Sequence, residues 1–183
     1  MKALNFVILI ISMIFINEVY SQNLLNFNSK ITFDSNKKKK AFKEISEWAN
    51  SQTYFKISYN NSIDTLKGVG IIEFINQVKY ETSPTYSRLF NSQTNGKIEY
   101  QLLIVLNNNE INISLNNYKH KPDSKNDKIE FGILTNKLTA PENLLTDYDS
   151  KWCNNVWINM KSLASNSAQI ILNLVPANLF SEK

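Results

Sequence analysis

The sequence predicts an α+β domain of two layers, a curved antiparallel sheet with two helices on one of its faces. Three observations predict it. Ala41 to Ala49 repeats its apolar residues at a helical period, three later stretches between Leu66 and Tyr118 repeat theirs at a period of two, and a final stripe from Trp152 returns to the helical period. Strands grouped in the middle of a chain segregate into an open sheet with a separate helical layer.

The chain of 183 residues begins with Lys2, an apolar run from Phe6 to Ile16 broken only by Ser12, and Val19-Tyr20-Ser21-Gln22. A run that short falls below the ~20 residues of a membrane-spanning helix. It has the length of the apolar core of a secretory signal, with small Ser21 before the cleavage point. Residues 1–21 are therefore expected to be a signal peptide, the alternative being an uncleaved anchor. No later stretch is apolar for long enough to cross a membrane, so no transmembrane segment is expected in the mature protein. The protein is expected to be exported, to the periplasm, the outer membrane or the medium. No Cys stands right after the signal region, which excludes acylation as a lipoprotein.

Polar, Asn-rich residues 22–30 read as a flexible leader, residues 31–165 as the domain and residues 166–183 as an apolar helical tail. Ile31 to Phe33 reads as a short strand, and Asp34, Ser35 or Asn36 can each cap a helix. In the helix that follows, Ala41, Phe42, Ile45, Trp48 and Ala49 make one apolar stripe. Its first turn carries Lys37 to Lys40, which reads either as a solvated surface or as a patch for an anionic polymer or headgroup. Tyr54 to Tyr59 reads as a strand. From Leu66 to Ile75 the inward positions are Leu66, Gly68, Gly70, Ile72 and Phe74. Two glycines on one side of a strand weaken it. Either a bulky residue such as Trp48 lies on the backbone there, or the sheet bends, or a ligand approaches.

Residues 76–96 hold Pro84, Gly96 and many Ser, Thr and Asn, and read as an irregular connection long enough to contribute a binding edge. Ile98 to Leu106 and Glu110 to Tyr118 form a hairpin around Asn107-Asn108-Asn109, the second strand alternating Ile111, Ile113 and Leu115 with Asn112, Ser114 and Asn116. Ile129 to Leu134 reads as a short edge strand. Trp152, Val156, Met160 and Leu163 make the second helical stripe. The expected order is β-α-β-β-β-β-α.

Reactive groups are few. His120 is the one histidine and Cys153 the one cysteine, so neither an intrachain disulfide nor a His-rich metal site exists. His120, just past a strand end among lysines, reads as solvent-exposed or capping. Cys153 reads as a small buried hydrophobe, or else as a reactive thiol. Lys67-Gly68-Val69-Gly70 lies inside a strand with no helix opening after it, so it offers no phosphate loop. Asp147 and Asp149 lack the spacing of a calcium loop and read as helix-capping residues. No catalytic, cofactor or metal-ligating residues are singled out, and no cofactor is expected.

The stretch from Ile31 to about Pro122 resembles domain of unknown function 4468, a family of exported proteins from Bacteroidetes. The matching pieces are the Phe33 strand, the helix through Trp48, the Lys67-Gly68-Val69-Gly70 strand and the segment Ile113-Ser114-Leu115-Asn116-Asn117-Tyr118-Lys119-His120. The resemblance implies a fold like one half of the TATA-box-binding protein and an exported location, and it brings no activity. The 76–96 insertion and the extension beyond residue 165 depart from the family pattern.

The bare face of the expected sheet carries Lys67, Glu73, Glu99, Gln101, Asn112, Ser114 and Asn116 as a candidate partner-binding surface. Its mixed charge, and a net charge of only +4, argue against nucleic acid as the partner. The leading expectation is a non-catalytic envelope module that binds an unknown partner or ligand through that face, flanked by residues 76–96. The alternatives are a carboxylate-dependent hydrolase of an envelope polymer and a homo-oligomer assembled through the C-terminal tail.

Overall fold

A computed structural model describes residues 24–58, 64–80, 84–123 and 127–175. The expected signal peptide lies outside the described residues, as do residues 176–183. Helix α1 (Lys38–Ser51) forms where the stripe predicts, burying Ala41, Ile45, Trp48 and Ala49. A single 3₁₀ turn, Ser35–Lys37, leads into it, and Asp34 caps that turn by accepting from the Asn36 amide at 3.1 Å. Within α1, Lys40–Glu44 and Lys43–Glu47 pair across one helical turn at 3.7 and 3.8 Å. Such exposed pairs contribute about 0.3–0.5 kcal/mol each.

The sheet is antiparallel throughout, with strands β1 (Phe27–Thr32), β2 (Phe55–Ser58), β3 (Thr65–Phe74), β4 (Gly96–Leu106) and β5 (Glu110–Pro122) in the order β1-β5-β4-β3-β2. Strand β6 (Gly132–Ile133) extends the β1 side of β5, opposite Lys119 and His120. Strand β1 starts earlier than its sequence suggests, and Leu24 already bridges Thr135, so residues 24–30 are not the expected leader. Phe27, Ser29 and Ile31 face inward opposite Leu115, Ile113 and Ile111. Ser29 interrupts the apolar alternation, which is why the pattern is faint.

All the described helices lie on one face. Helix α2 (Pro84–Thr94) occupies much of the segment expected to be irregular, and its Phe90 packs on Trp152 and Tyr148 with ring centroids 5.7 and 5.4 Å apart. Pro84–Thr94 thus belongs to the helical layer, where an irregular connection was expected. After short α3 (Glu142–Asp147), α4 runs unbroken from Ser150 to Leu174. The expected tail is therefore a continuation of the second helix, with Ala168 and Ile171 buried on the same stripe as Trp152 and Met160. Trp48 Nε1 ties the two long helices together by donating to the Leu174 carbonyl at 2.9 Å.

The core lies between the layers. Ile98, Tyr100, Leu102, Ile104 and Leu106 on β4 meet Ala41, Ile45, Val156, Trp157 and Met160 in one cluster. Fully burying each large aliphatic side chain contributes about 1.5–3 kcal/mol. The fold class is α+β with an open antiparallel sheet, as expected. The helical layer holds four helices among the described residues where two were expected. The glycines of β3 make room for neighbours in the sheet, and Trp48 packs on Phe55 instead, at 5.9 Å.

Candidate functional site

Alternation along β3, β4 and β5 sends one set of side chains into the core and the other to a face that no described element covers. Lys67, Glu73, Glu99, Gln101, Asn112, Ser114 and Asn116 all stand on that face. Register separates them into three groups. Lys67, Gln101 and Asn116 line one depression of about 390 Å³, together with Ser58, Val69, Leu103 and Asn117. Asn112 and Ser114 lie towards β1, opposite Lys30 and Asn28. Glu73 and Glu99 lie at the far end, opposite Lys97 and Lys119.

A bulge shapes the depression. Gln101 is opposite Asn116 while Glu99 is opposite Lys119, so two residues of β5 face Tyr100 alone. Asn117 takes up the extra length with a φ of 54°, a left-handed conformation that Asn tolerates better than most residues. Its side-chain amide donates to Gln101 Oε1 at 2.8 Å, and that of Asn116 donates to Ser114 Oγ at 3.2 Å. On β2, Ser58 donates to the Lys67 carbonyl at 3.1 Å. The polar wall is thus organised by its own hydrogen bonds. Val69 and Leu103 supply the apolar part, and Val69 is 49% exposed.

Pairing distributes the charge unevenly. Glu110 forms an ion pair with Lys30 and also accepts from Asn107 and Asn112 at 3.1 and 3.2 Å. The Lys30 hydrogen bond first, and the two amides after it, hold its carboxyl down at about 2. Glu99 pairs with Lys121 at 2.5 Å, and Lys119 with Glu130 at 3.7 Å. Lys67, and Lys56 opposite Val69, have no ion pair among the described residues.

The bulge also turns the end of β5 over. Tyr118 and His120 point into the core, and His120 is fully buried rather than exposed or capping. Its Nε2 lies 2.9 Å from the Thr94 carbonyl, and its Nδ1 accepts the Phe131 amide at 3.2 Å. That pair of contacts fits a neutral ring protonated on Nε2. Burial pushes its pKa down. Cys153 is buried as expected, 3.4 Å from the Leu144 carbonyl, and burial pushes its thiol up to about 11. Asp149 caps α4 by accepting the Trp152 amide at 2.7 Å, whereas Asp147 ends α3. Among the described residues no cluster of His, Cys, Asp and Glu could hold a metal ion.

Ser58 and Asn117 escape a reading by alternation alone. Ser58 enters through the β2–β3 register, and the bulge presents Asn117. The adjacent Asn116-Asn117 pair inside a strand is the one sequence signal for it.

Two solved structures are similar to this chain. A TBP-like protein from Parabacteroides distasonis aligns with 79% of this chain and 92% of its own, at 14% identity and a TM-score of 0.43. A DUF4468 family protein from Bacteroides ovatus aligns over 86% of each chain, at 11% identity and a TM-score of 0.47. Both names are those that the sequence resemblance carries. Neither states a ligand or a reaction. No family model matches the sequence, and no curated protein does.

Proposed function

We propose that this protein is an exported, non-catalytic envelope module that recognises a partner through the open face of its sheet. One observation carries the reading. Every described helix packs on the same side, and the other side holds a preformed depression whose polar wall is fixed by its own hydrogen bonds. Val69 and Ile71, 49% and 51% exposed, form an apolar strip beside it. Apolar groups kept in water next to ordered polar groups are what an interaction surface requires. The hydrolase alternative draws no support from Glu110, whose carboxyl is shifted down and so away from the range of a proton donor.

The test is site-specific photo-cross-linking in envelope fractions, with the reactive group at Gln101 on the open face and, as a control, at exposed Glu47 on α1. One discrete adduct from Gln101 alone is expected. Identical adducts from both positions, or none from Gln101, would overturn the reading. Amino-terminal sequencing of the fractionated protein tests export, with Gln22 expected as the first residue.

A further inference from the structure

We infer that the depression between β2 and β5 binds an extended acidic peptide, with a carboxylate of the peptide on Lys67. The inference rests on reading the open face as a recognition surface, and three observations give it its chemistry.

The first is charge. Sorted by ion pair, Glu99 and Glu110 on this face are each taken by a lysine, and Lys119 is taken by Glu130. Lys97 stands directly across from Glu73. Lys67 and Lys56 are left over, Lys67 lining the depression and Lys56 diagonal to it across from Val69, and no carboxylate lines the depression. An anion arriving there meets positive charge that no resident group neutralises.

The second is the hydrogen-bonding wall. Asn117 donates to Gln101 Oε1, which leaves the Gln101 amide nitrogen and the Asn117 carbonyl oxygen free to face outward. Asn116, donating to Ser114, likewise keeps its carbonyl oxygen. A row of donors and acceptors set by strand spacing complements an extended backbone, whose own N–H and C=O groups alternate.

The third is the floor. Val69 and Leu103 offer aliphatic surface for one side chain of the ligand. Among the described residues no aromatic ring lines the depression, while Phe55, Phe74, Tyr100 and Tyr118 are buried in the core. Acidic glycans share the carboxylate, but sugar rings gain much of their affinity by stacking on aromatic faces. The aliphatic floor favours peptide.

The experiment begins with a randomised heptapeptide library selected on the chain from Gln22 onward, which contains every described element. The enriched peptides are then added to the isotopically labelled protein, and amide shifts are followed by NMR, with oligogalacturonate as the parallel probe. Enrichment of Asp or Glu is expected, with shifts at Lys67–Val69, Gln101–Leu103 and Asn116–Asn117. Replacing the peptide's acidic residues by amides, or Lys67 by Gln, is expected to weaken binding on the order of tenfold or more. An unchanged spectrum of free K67Q elsewhere in the protein shows that the fold is intact. Neutral peptides that bind the same amides equally well would overturn the acidic assignment and leave the open face as the site. Shifts at the depression from oligogalacturonate but from no peptide would overturn the peptide in favour of a glycan. Shifts confined to other surfaces, or none with either probe, would overturn both the inference and the reading beneath it.

Discussion

Gly70 and Tyr100 face one another across β3 and β4 in a register that leaves room for one side chain only. The Tyr100 ring fills the space where a β-carbon on Gly70 would stand, stacks on Tyr118 at 5.3 Å, and sends its hydroxyl to the Tyr54 carbonyl at 2.9 Å. Replacing a strand glycine by alanine where space allows gains about 0.4–1 kcal/mol from the unfolded chain. Overpacking costs about 1–3 kcal/mol and wins here. Chemical denaturation of G70A is expected to show a net loss of stability, and much of that loss should vanish in a Tyr100→Leu background. An equal loss in both backgrounds would show that the ring is not the obstacle.

His120 makes stability depend on pH. Its folded pKa lies below the usual 6.5, so as pH falls through 6.5 the unfolded chain takes up a proton that the folded protein refuses. The contribution is fully present above 6.5 and is lost below it, with a slope of at most about 1.4 kcal/mol per pH unit. Urea denaturation between pH 7 and 5 is expected to show this slope, and His120→Gln to flatten it. Glu110, held at about 2, adds a second loss as pH falls from the ordinary 4.5 of a glutamate towards 2.

The Asp149 cap predicts a contrast between neighbours. Asp149→Ala removes the acceptor of the Trp152 amide and is expected to cost about 1 kcal/mol. Asp147→Ala, which removes no cap from α4, is expected to stay within about 0.5 kcal/mol of the parent. Comparable losses from the two would remove the cap from the account of α4.

Cys153 is expected to be silent to aromatic disulfide reagents at pH 8. Burial excludes the reagent, and a thiol pushed up to about 11 supplies little thiolate. Full reaction should appear only in denaturant. Rapid labelling of the folded protein would place the thiol at the surface.

The last turns of α4 are structural before they are anything else. Ile171→Ala is expected to cost about 2–5 kcal/mol, and exposed Gln169→Ala almost nothing. Removing residues 166–183 outright takes away Ala168, Ile171 and the carbonyl that Trp48 bonds. Assembly through this region is therefore better probed at exposed Ile170, by measuring solution mass for Ile170→Lys. A monomer for both parent and variant would end the oligomer reading.

Local pattern made much of this fold legible. The α1 stripe, the alternation of β3 and β4 and the inward face of β5 up to Leu115 follow from residue periods alone. Beyond Asn116 the rule breaks, because one inserted residue reverses which side faces in, and His120 moves from an apparent surface position to the core. Helix α2 was hidden because among its residues only Thr94 is buried, so its apolar residues make no deep stripe. The candidate face was legible residue by residue. Its division into a depression, a β1 side and a carboxylate end was not, because that division depends on cross-strand register, which spacing along one strand does not encode.

The pairing of β1 with β5 sets an order of events. Phe27 meets Leu115, so the first strand to emerge from any process that delivers the chain from its amino end has no partner until about half of the chain has followed it. Closing so long a loop is slow compared with forming the β4–β5 hairpin, whose partners are neighbours. The hairpin therefore arises first as a template whose β5 edge is bare, and β1 docks on that edge late. Until then Ile111, Ile113 and Leu115 stand open to any other extended segment, and this edge is where a chaperone would have most to shield.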